Sequence, residues 1–278
     1  MSEQRVIVDD LVFGESPRWH DGRLWLCDWG AHEILALDLD GTRELVAELP
    51  AFPFSIDWLP DGRLVVVTEG ALFVEDNGVM VPWLELTQLS DKPWNEIVVD
   101  DHGNTFVNGS GFDLMAGEEP APGLIAVVAP DGSVRQVADG LAFPNGMVVT
   151  PGSTTLVVAE SYAGRLTAFD IEPDGSLVNR RVWADLGDGA PDGLCLDEEG
   201  AIWYADVPHR RCVRVREGGE VLQTVELDRG CFACTLGGPD RRTLLVLVAR
   251  WIEVAGVDAD RSGQVVAIDA PAAGAGHP

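Results

Sequence analysis

Basic side chains are scarce in this chain of 278 residues, which carries 19 Lys and Arg against 46 Asp and Glu. The formal charge of −27 at pH 7 repels nucleic-acid phosphates and anionic membrane surfaces, because both are bound through patches of Lys and Arg. We therefore expect neither nucleic acid nor a membrane as a partner. Most of the acidic surplus is expected to form a solvated surface.

The chain also lacks long apolar runs and a disulfide framework. No segment approaches 18 uninterrupted apolar residues, and the N-terminus has no basic stretch followed by an apolar one, so no membrane span or secretion signal is predicted. The five cysteines lie within apolar runs, which predicts buried, reduced thiols in a cytoplasmic protein. Cys231 and Cys234 have CxxC spacing without a thioredoxin-like βαβ context, so we expect them to pack in the core.

A helical period is absent as well, and a unit of roughly 40 to 50 residues recurs in its place. In each unit, β-branched and aromatic runs flank a turn such as Asp-Gly, which is the signature of a hairpin. Six such units without helices predict an all-β fold, a six-bladed β-propeller in which residues 1–278 form one domain. A large β-sandwich or barrel is the alternative. The units begin at Ser16, Ser55, Asn95, Asn145, Asp192 and Phe232.

The sixth unit has only three evident strands. The apolar stretch Arg5 to Asp9 precedes the first unit and belongs to no hairpin. We predict that it completes the last blade and closes the ring, which would hide two sheet edges.

Four oxygen-bearing side chains occupy one phase of the repeat, seven or eight residues before the first turn glycine. They are Glu15, Asn95, Asn145 and Asp192. Because the first strand of each blade is innermost, residues at one phase of it form a ring at one end of the channel. Two carboxylates and two amides suit a hard cation such as Ca²⁺, Mg²⁺ or Mn²⁺. The alternative is that the Asn-Gly and Asp-Gly pairs are merely turn residues.

Several segments resemble the family that unites regucalcin (senescence marker protein), gluconolactonases and luciferin-regenerating enzyme. They read FGESPRW, FPNGM, APDGLCLDEEGAIW and CTLGGPDRRTL, in the family's order over nearly the whole chain. The resemblance implies a six-bladed propeller with one divalent metal held by Glu15, Asn145 and Asp192, with Ca²⁺ as first choice and Mg²⁺, Mn²⁺ or Zn²⁺ as alternatives. It also implies that Asn95 contacts substrate. The segment Lys92 to Glu96 departs from the family, because it lacks the Arg that often grips sugar hydroxyls.

Three protein ligands at a channel mouth leave positions for water and a substrate oxygen, as in a catalytic Lewis acid. We therefore predict a metal-dependent lactonase acting on a sugar lactone or a less polar one. The resemblance implies that Asp192 is the catalytic base, and activation of water by the metal alone is the alternative. Two other functions stay open: hydrolysis of esters or phosphotriesters at the same site, and a propeller that binds metal or ligand without turnover.

Loops that return to the ligand end are predicted to form the pocket rim, where specificity resides. Together with Asn95, we predict Trp94 and Tyr162 as substrate-binding residues. With Pro93 in place of the family's Arg, apolar contact replaces hydrogen bonds, so less hydroxylated lactones should be accepted at least as well as gluconolactone. His209 alone among the histidines falls on the rim, which disfavours His-based chemistry. The predicted aromatic rim residues are Trp29, Trp94, Phe112, Tyr162 and Trp251.

Overall fold

The computed structural model describes residues 3–250 and 261–276. Those residues form six antiparallel sheets, one for each predicted unit, arranged as a six-bladed propeller. The predicted fold is therefore confirmed, and the sandwich or barrel alternative is wrong. The predicted rim residue Trp251 lies outside the described residues.

The first half of the chain contains the N-terminal strand, which belongs to blade 6, and three complete blades. Each of these blades is a meander that runs from the channel outward. The strands are β1 (Gln4–Leu11); blade 1, β2 (Gly14–His20), β3 (Arg23–Asp28), β4 (Glu33–Leu37) and β5 (Arg43–Glu48); blade 2, β6 (Phe54–Trp58), β7 (Leu64–Thr68), β8 (Ala71–Asp76) and β9 (Val79–Glu85); and blade 3, β10 (Trp94–Val99), β11 (Thr105–Gly109), β12 (Gly123–Val128) and β13 (Val134–Leu141).

The second half repeats the pattern and adds a short 3₁₀ turn at Ser161–Ala163 and a short final strand. The strands are blade 4, β14 (Pro144–Val149), β15 (Thr155–Glu160), β16 (Arg165–Ile171) and β17 (Leu177–Asp185); blade 5, β18 (Pro191–Asp197), β19 (Ile202–Asp206), β20 (Arg211–Val215) and β21 (Val221–Glu226); blade 6, β22 (Gly230–Gly237), β23 (Thr243–Ala249) and β24 (Gly263–Asp269); and β25 (Gly274–Ala275), which pairs with β18.

The ring closes through the N-terminal strand, as predicted. Strand β1 pairs antiparallel with β24, from Gln4 opposite Ile268 to Leu11 opposite Gly263, and so supplies the fourth strand of blade 6. Residues from opposite ends of the chain thereby share one sheet, and the outer edge of β24 is covered.

The apolar core consists of layers between neighbouring blades. Six buried clusters fill the six interfaces, including the one between blades 6 and 1. Inner strands are covered on both faces, which explains why β7 (Leu64–Thr68) is buried throughout, whereas the outermost strand β5 (Arg43–Glu48) is largely exposed. In ranges 3–250 and 261–276, no helix has the length and apolar character needed to cross a membrane.

Replacing Leu11 with Ala should weaken the closure. Leu11 is 1% exposed in the cluster between blades 6 and 1, so truncation should lower the free energy of unfolding by about 2 to 5 kcal/mol. The matched control is Val6→Ala on the same strand, where the side chain is 49% exposed and the change should stay within about 0.5 kcal/mol. Urea titration of the three proteins checks this, and equal midpoints would contradict a role for β1 in closure.

Candidate metal centre

Interruptions in strand pairing mark the start of the innermost strand in five of the six blades. There the register with the second strand shifts, as at a β-bulge, and a bulge re-aims side chains. Blade 2 is the exception, since its pairing runs unbroken from Phe54 to Trp58 and it has no predicted ligand. The shifts fall at Glu15/Arg18, Trp94/Ile97, Pro144/Met147, Pro191/Leu194 and Cys231/Ala233.

The predicted ligand positions coincide with four of these shifts and lie close to one another. Asn95 Nδ2 donates a hydrogen bond to Asn145 Oδ1 over 3.3 Å, which joins blades 3 and 4. The buried Asn108 donates from Nδ2 to the Asn145 carbonyl oxygen over 2.6 Å. Glu15 is 6% exposed, and Asp192 is half-buried. The structure thus brings the two amides into contact, and it couples the two carboxylates electrostatically.

Three carboxylates influence one another around the channel. Burial raises the pKa of Glu15 well above its usual value, and the negative charges of Asp192 and Glu96 raise it further. Burial likewise raises the pKa of Asp192, with added contributions from Glu96 and the Cys234 thiol. Buried like charges destabilise each other unless a cation or a proton compensates them.

Arg18 pairs directly with one of the three acids, Glu96, and its charge also acts to lower the pKa of Glu15. Its Nη2 lies 3.3 Å from Glu96 Oε2 and donates to the Ile97 carbonyl over 2.8 Å, and both charged side chains are buried. Ser55 Oγ donates to the other Glu96 oxygen over 3.1 Å. Glu96 is therefore held by protein partners, whereas the raised pKa values of Glu15 and Asp192 indicate that the charges of these two acids are only partly compensated.

The donors fit a hard divalent cation by their chemistry. Across the described ranges, no group of three or more His, Cys, Asp or Glu side chains is arranged to hold a metal. A metal here would thus need amide oxygen as well as carboxylate, and Asn145 offers it beside Glu15 and Asp192. All-oxygen donor sets of this kind suit Ca²⁺ or Mg²⁺.

The glycines after Asn145 and Asp192 are sites of close approach between inner strands. A Cβ on Gly146 would lie 2.5 Å from the Asp192 carbonyl oxygen, and one on Gly193 would lie 2.6 Å from Ala233 Cα. Both glycines lie within strands. The interpretation of these Asn-Gly and Asp-Gly pairs as turns is therefore wrong, and the glycines let three blades pack tightly around the channel.

Left-handed backbone adjoins two of the candidate ligands. Ser16, next to Glu15, has φ +50°, and Phe143, two residues before Asn145, has φ +57°. Non-glycine residues rarely adopt such angles, and they concentrate at functional sites. Ser16 is held there in part by the Ile56 amide, which donates to its Oγ over 3.0 Å.

An aromatic cluster adjoins Asn145 at the mouth. Tyr162, 54% exposed, stacks on Phe143 with ring centroids 4.7 Å apart, and the buried Phe112 packs beneath both. Leu114 and Met115 on the β11–β12 loop are exposed as well. Sequence reasoning missed Phe143, although its place in the FPNGM segment beside Asn145 offered a signal.

Trp94 does not lie where the sequence prediction put it. The indole is fully buried in the layer between blades 2 and 3, and its Nε1 has no hydrogen-bond partner within ranges 3–250 and 261–276. Trp94 pairs with Gly109, whose lack of a side chain leaves room for the ring. The expectation that Trp94 faces the pocket is therefore wrong. Trp94 lies just before the register shift of β10, and its side chain points into the interface between blades 2 and 3. Asn95, inside the shift, stays half-buried.

The predicted rim histidine, His209, contacts acidic side chains. His209 Nδ1 lies 2.8 Å from Asp206 Oδ1, and Arg211 Nε donates to the other Asp206 oxygen over 2.8 Å. Asp206 is fully buried. His209 thus belongs to a local network of polar side chains around Asp206.

Known proteins resemble this chain over most of its length. The family model for the SMP-30/gluconolactonase/LRE-like region matches residues 13–250. Regucalcin from Xenopus laevis is 28% identical over 260 residues, covering 88% of this chain and 85% of the relative. Regucalcin from Oryctolagus cuniculus is 30% identical over 271 residues, covering 88% and 86%.

Solved structures share the fold at lower identity. A luciferin-regenerating enzyme superposes with a TM-score of 0.85 at 19% identity, covering 99% of this chain and 98% of the other. A regucalcin from Agrobacterium tumefaciens, described as a calcium-binding protein, gives 0.82 at 22%, covering 99% and 95%. A gluconolactonase from Xanthomonas campestris gives 0.77 at 23%, covering 97% and 90%.

Replacing Gly146 with Ala should disturb the centre through packing. The new Cβ meets backbone atoms of Asp192 and Leu194, so one inner strand must shift, at a cost of about 1 to 3 kcal/mol in the free energy of unfolding. The control is Gly70→Ala, whose Cβ meets only the Thr87 methyl at 3.4 Å and should change stability by at most about 0.5 kcal/mol. Thermal and urea unfolding measure both, and equal stabilities would refute the close-approach argument.

Proposed function

Because the chain belongs to the SMP-30/gluconolactonase/LRE-like family, whose model matches residues 13–250, we propose that it is a divalent-metal-dependent hydrolase that opens small lactones. The observation that carries the proposal is that the charge of the half-buried Asp192 raises the cost of ionising the buried Glu15, close to the strand that carries Asn145. A divalent cation offsets that cost and supplies a Lewis acid.

Glu15, Asn145 and Asp192 are the residues that would hold the ion. Ca²⁺ is the first choice, since the donors are all oxygen and a related propeller is described as a calcium-binding protein. Bound there, the ion would polarise the lactone carbonyl and stabilise the negative charge that develops on its oxygen.

The side chains around the ion have distinct roles in the proposal. Asp192 accepts the proton of the attacking water, because it is the half-buried acid, whereas Glu15 is more deeply enclosed. Asn95 orients the substrate through its amide, which already reaches Asn145. Arg18 and Ser55 hold the Glu96 carboxylate in place from its two oxygens.

The substrate we propose is a lactone with an apolar substituent. Tyr162, Phe143 and the exposed Leu114 and Met115 offer apolar surface next to Asn145. Burial of that surface contributes roughly 25 cal/mol per Å². Two arginines near the mouth form ion pairs with carboxylates, so their guanidinium groups are poorly placed to bind sugar hydroxyls. They are Arg165, 2.9 Å from Glu160, and Arg211, 2.8 Å from Asp206.

Substitutions at Asp192 separate metal binding from proton transfer. Asp192→Ala should lose bound metal and turnover together, whereas Asp192→Asn should keep part of the metal and lose about 10² to 10⁴ in kcat. Asp188→Asn is the matched control, since that acid is 85% exposed on the preceding loop. Metal content by elemental analysis and lactone hydrolysis by pH-stat measure both. Full activity of Asp192→Asn at equal metal content would exclude the base role.

A lactone panel tests the substrate class. The ratio of kcat/KM for an alkyl-substituted γ- or δ-lactone to that for gluconolactone should be one or greater, and Tyr162→Ala should lower only the alkyl-lactone value, by about 5- to 10-fold. A hundredfold preference for the sugar lactone would overturn the proposal of an apolar substrate, and it would still be consistent with lactonase activity. Metal binding without turnover of any lactone, ester or phosphotriester would favour a binding protein over an enzyme.

A further inference from the structure

Four of the five cysteines gather in the apolar layer between blades 5 and 6. All are free and buried, which confirms the expectation that the CxxC pair packs in the core. The register shift between Cys231 and Ala233 sets Cys231 and Cys234 on the same face of β22. The cluster consists of Cys195, Cys212, Cys231 and Cys234.

Two of these thiols face each other across the blade interface. Cys195 Sγ on β18 lies 3.8 Å from Cys234 Sγ on β22. The two strands come unusually close at this level, since a Cβ on Gly193 would lie 2.6 Å from Ala233 Cα. Disulfides span Cα separations of about 4.4 to 6.8 Å, so closely packed strands can be joined with little backbone movement.

Only one thiol of the pair borders a cavity. Cys234 lines a cavity of about 10 Å³ together with Arg18 and Glu96, and Cys195 does not line it. A space of that size holds about one water molecule. A small oxidant that reaches this cavity therefore meets Cys234 first, with Cys195 immediately behind it.

We propose that Cys195 and Cys234 form an oxidisable pair that hydrogen peroxide converts into a disulfide joining blades 5 and 6. In the first step the Cys234 sulfur attacks one peroxide oxygen, the O–O bond breaks, and Cys234 sulfenic acid and one water form. In the second step the Cys195 sulfur attacks the Cys234 sulfur, the S–O bond breaks, and a second water leaves. The two thiols together lose two electrons, and one hydrogen peroxide molecule accepts them and is reduced to two water molecules.

The local chemistry supports this order of events. Burial raises the pKa of the Cys195 thiol well above its ordinary value. Cys234 is the sulfur that borders the cavity, and its Sγ lies 3.8 Å from that of Cys195, so it is placed to react with peroxide first. Cys231 Sγ donates to the carbonyl of Arg229, just before β22, and it does not line the cavity that Cys234 borders.

Peptide mapping of the intact protein tests the proposal. The folded chain is treated with hydrogen peroxide, quenched into denaturant with iodoacetamide, and digested with trypsin without reduction. We expect the intact mass to fall by about 2 Da and the peptides 182–210 and 230–241 to appear cross-linked. Reduction should restore both free peptides. An intact mass that does not fall, or a loop within peptide 230–241, would overturn the proposal.

Variants identify the two sulfurs within those peptides. Cys231→Ala is the matched control, since it removes a buried thiol from the same peptide and should keep the cross-link. Cys195→Ala and Cys234→Ala should each abolish it, and dimedone in the quench should label Cys234 in Cys195→Ala. A cross-link that survives in Cys234→Ala, or dimedone on Cys195 alone, would contradict the assignment. The wild-type map decides the question even if a variant folds poorly.

Discussion

Electrostatic repulsion between Glu15 and Asp192 is the constraint around which the channel mouth is organised. Burial disfavours the charged form of each acid, and the charge of Asp192 disfavours it further at Glu15. Arg18 pairs with a third acid, Glu96, whose charge still raises the pKa of both. A divalent cation matches the charge of the two carboxylates in sign and magnitude, and amide oxygens are suitable further ligands.

The repeat creates this site through its irregularities. A regular propeller strand alternates its side chains between two blade interfaces, and neither direction leads into the channel. The register shifts at the starts of the inner strands break that alternation and place Asn95, Asn145 and Asp192 around the axis. Blade 2 keeps regular pairing at Phe54 and contributes apolar packing instead. The glycines at positions 146 and 193 then let the shifted strands approach without collision.

Periodic features were predictable from the sequence, and features created by irregularity were not. The turn glycines mark the phase of the repeat, so six blades and closure by β1 followed from spacing and resemblance. Trp94 was misplaced because one residue of register shift turns a side chain from the mouth into the blade layer. The contact of Cys195 with Cys234 spans 39 positions and two blades, and no local pattern encodes it.

A crystal structure of the protein grown with Ca²⁺, with anomalous scattering to identify the ion, tests whether the channel mouth is a metal site. We expect one ion at the channel mouth with oxygens of Glu15, Asn145 and Asp192 at about 2.3 to 2.6 Å. Anomalous density elsewhere at full Ca²⁺ saturation, with these three side chains several ångströms apart, would contradict it.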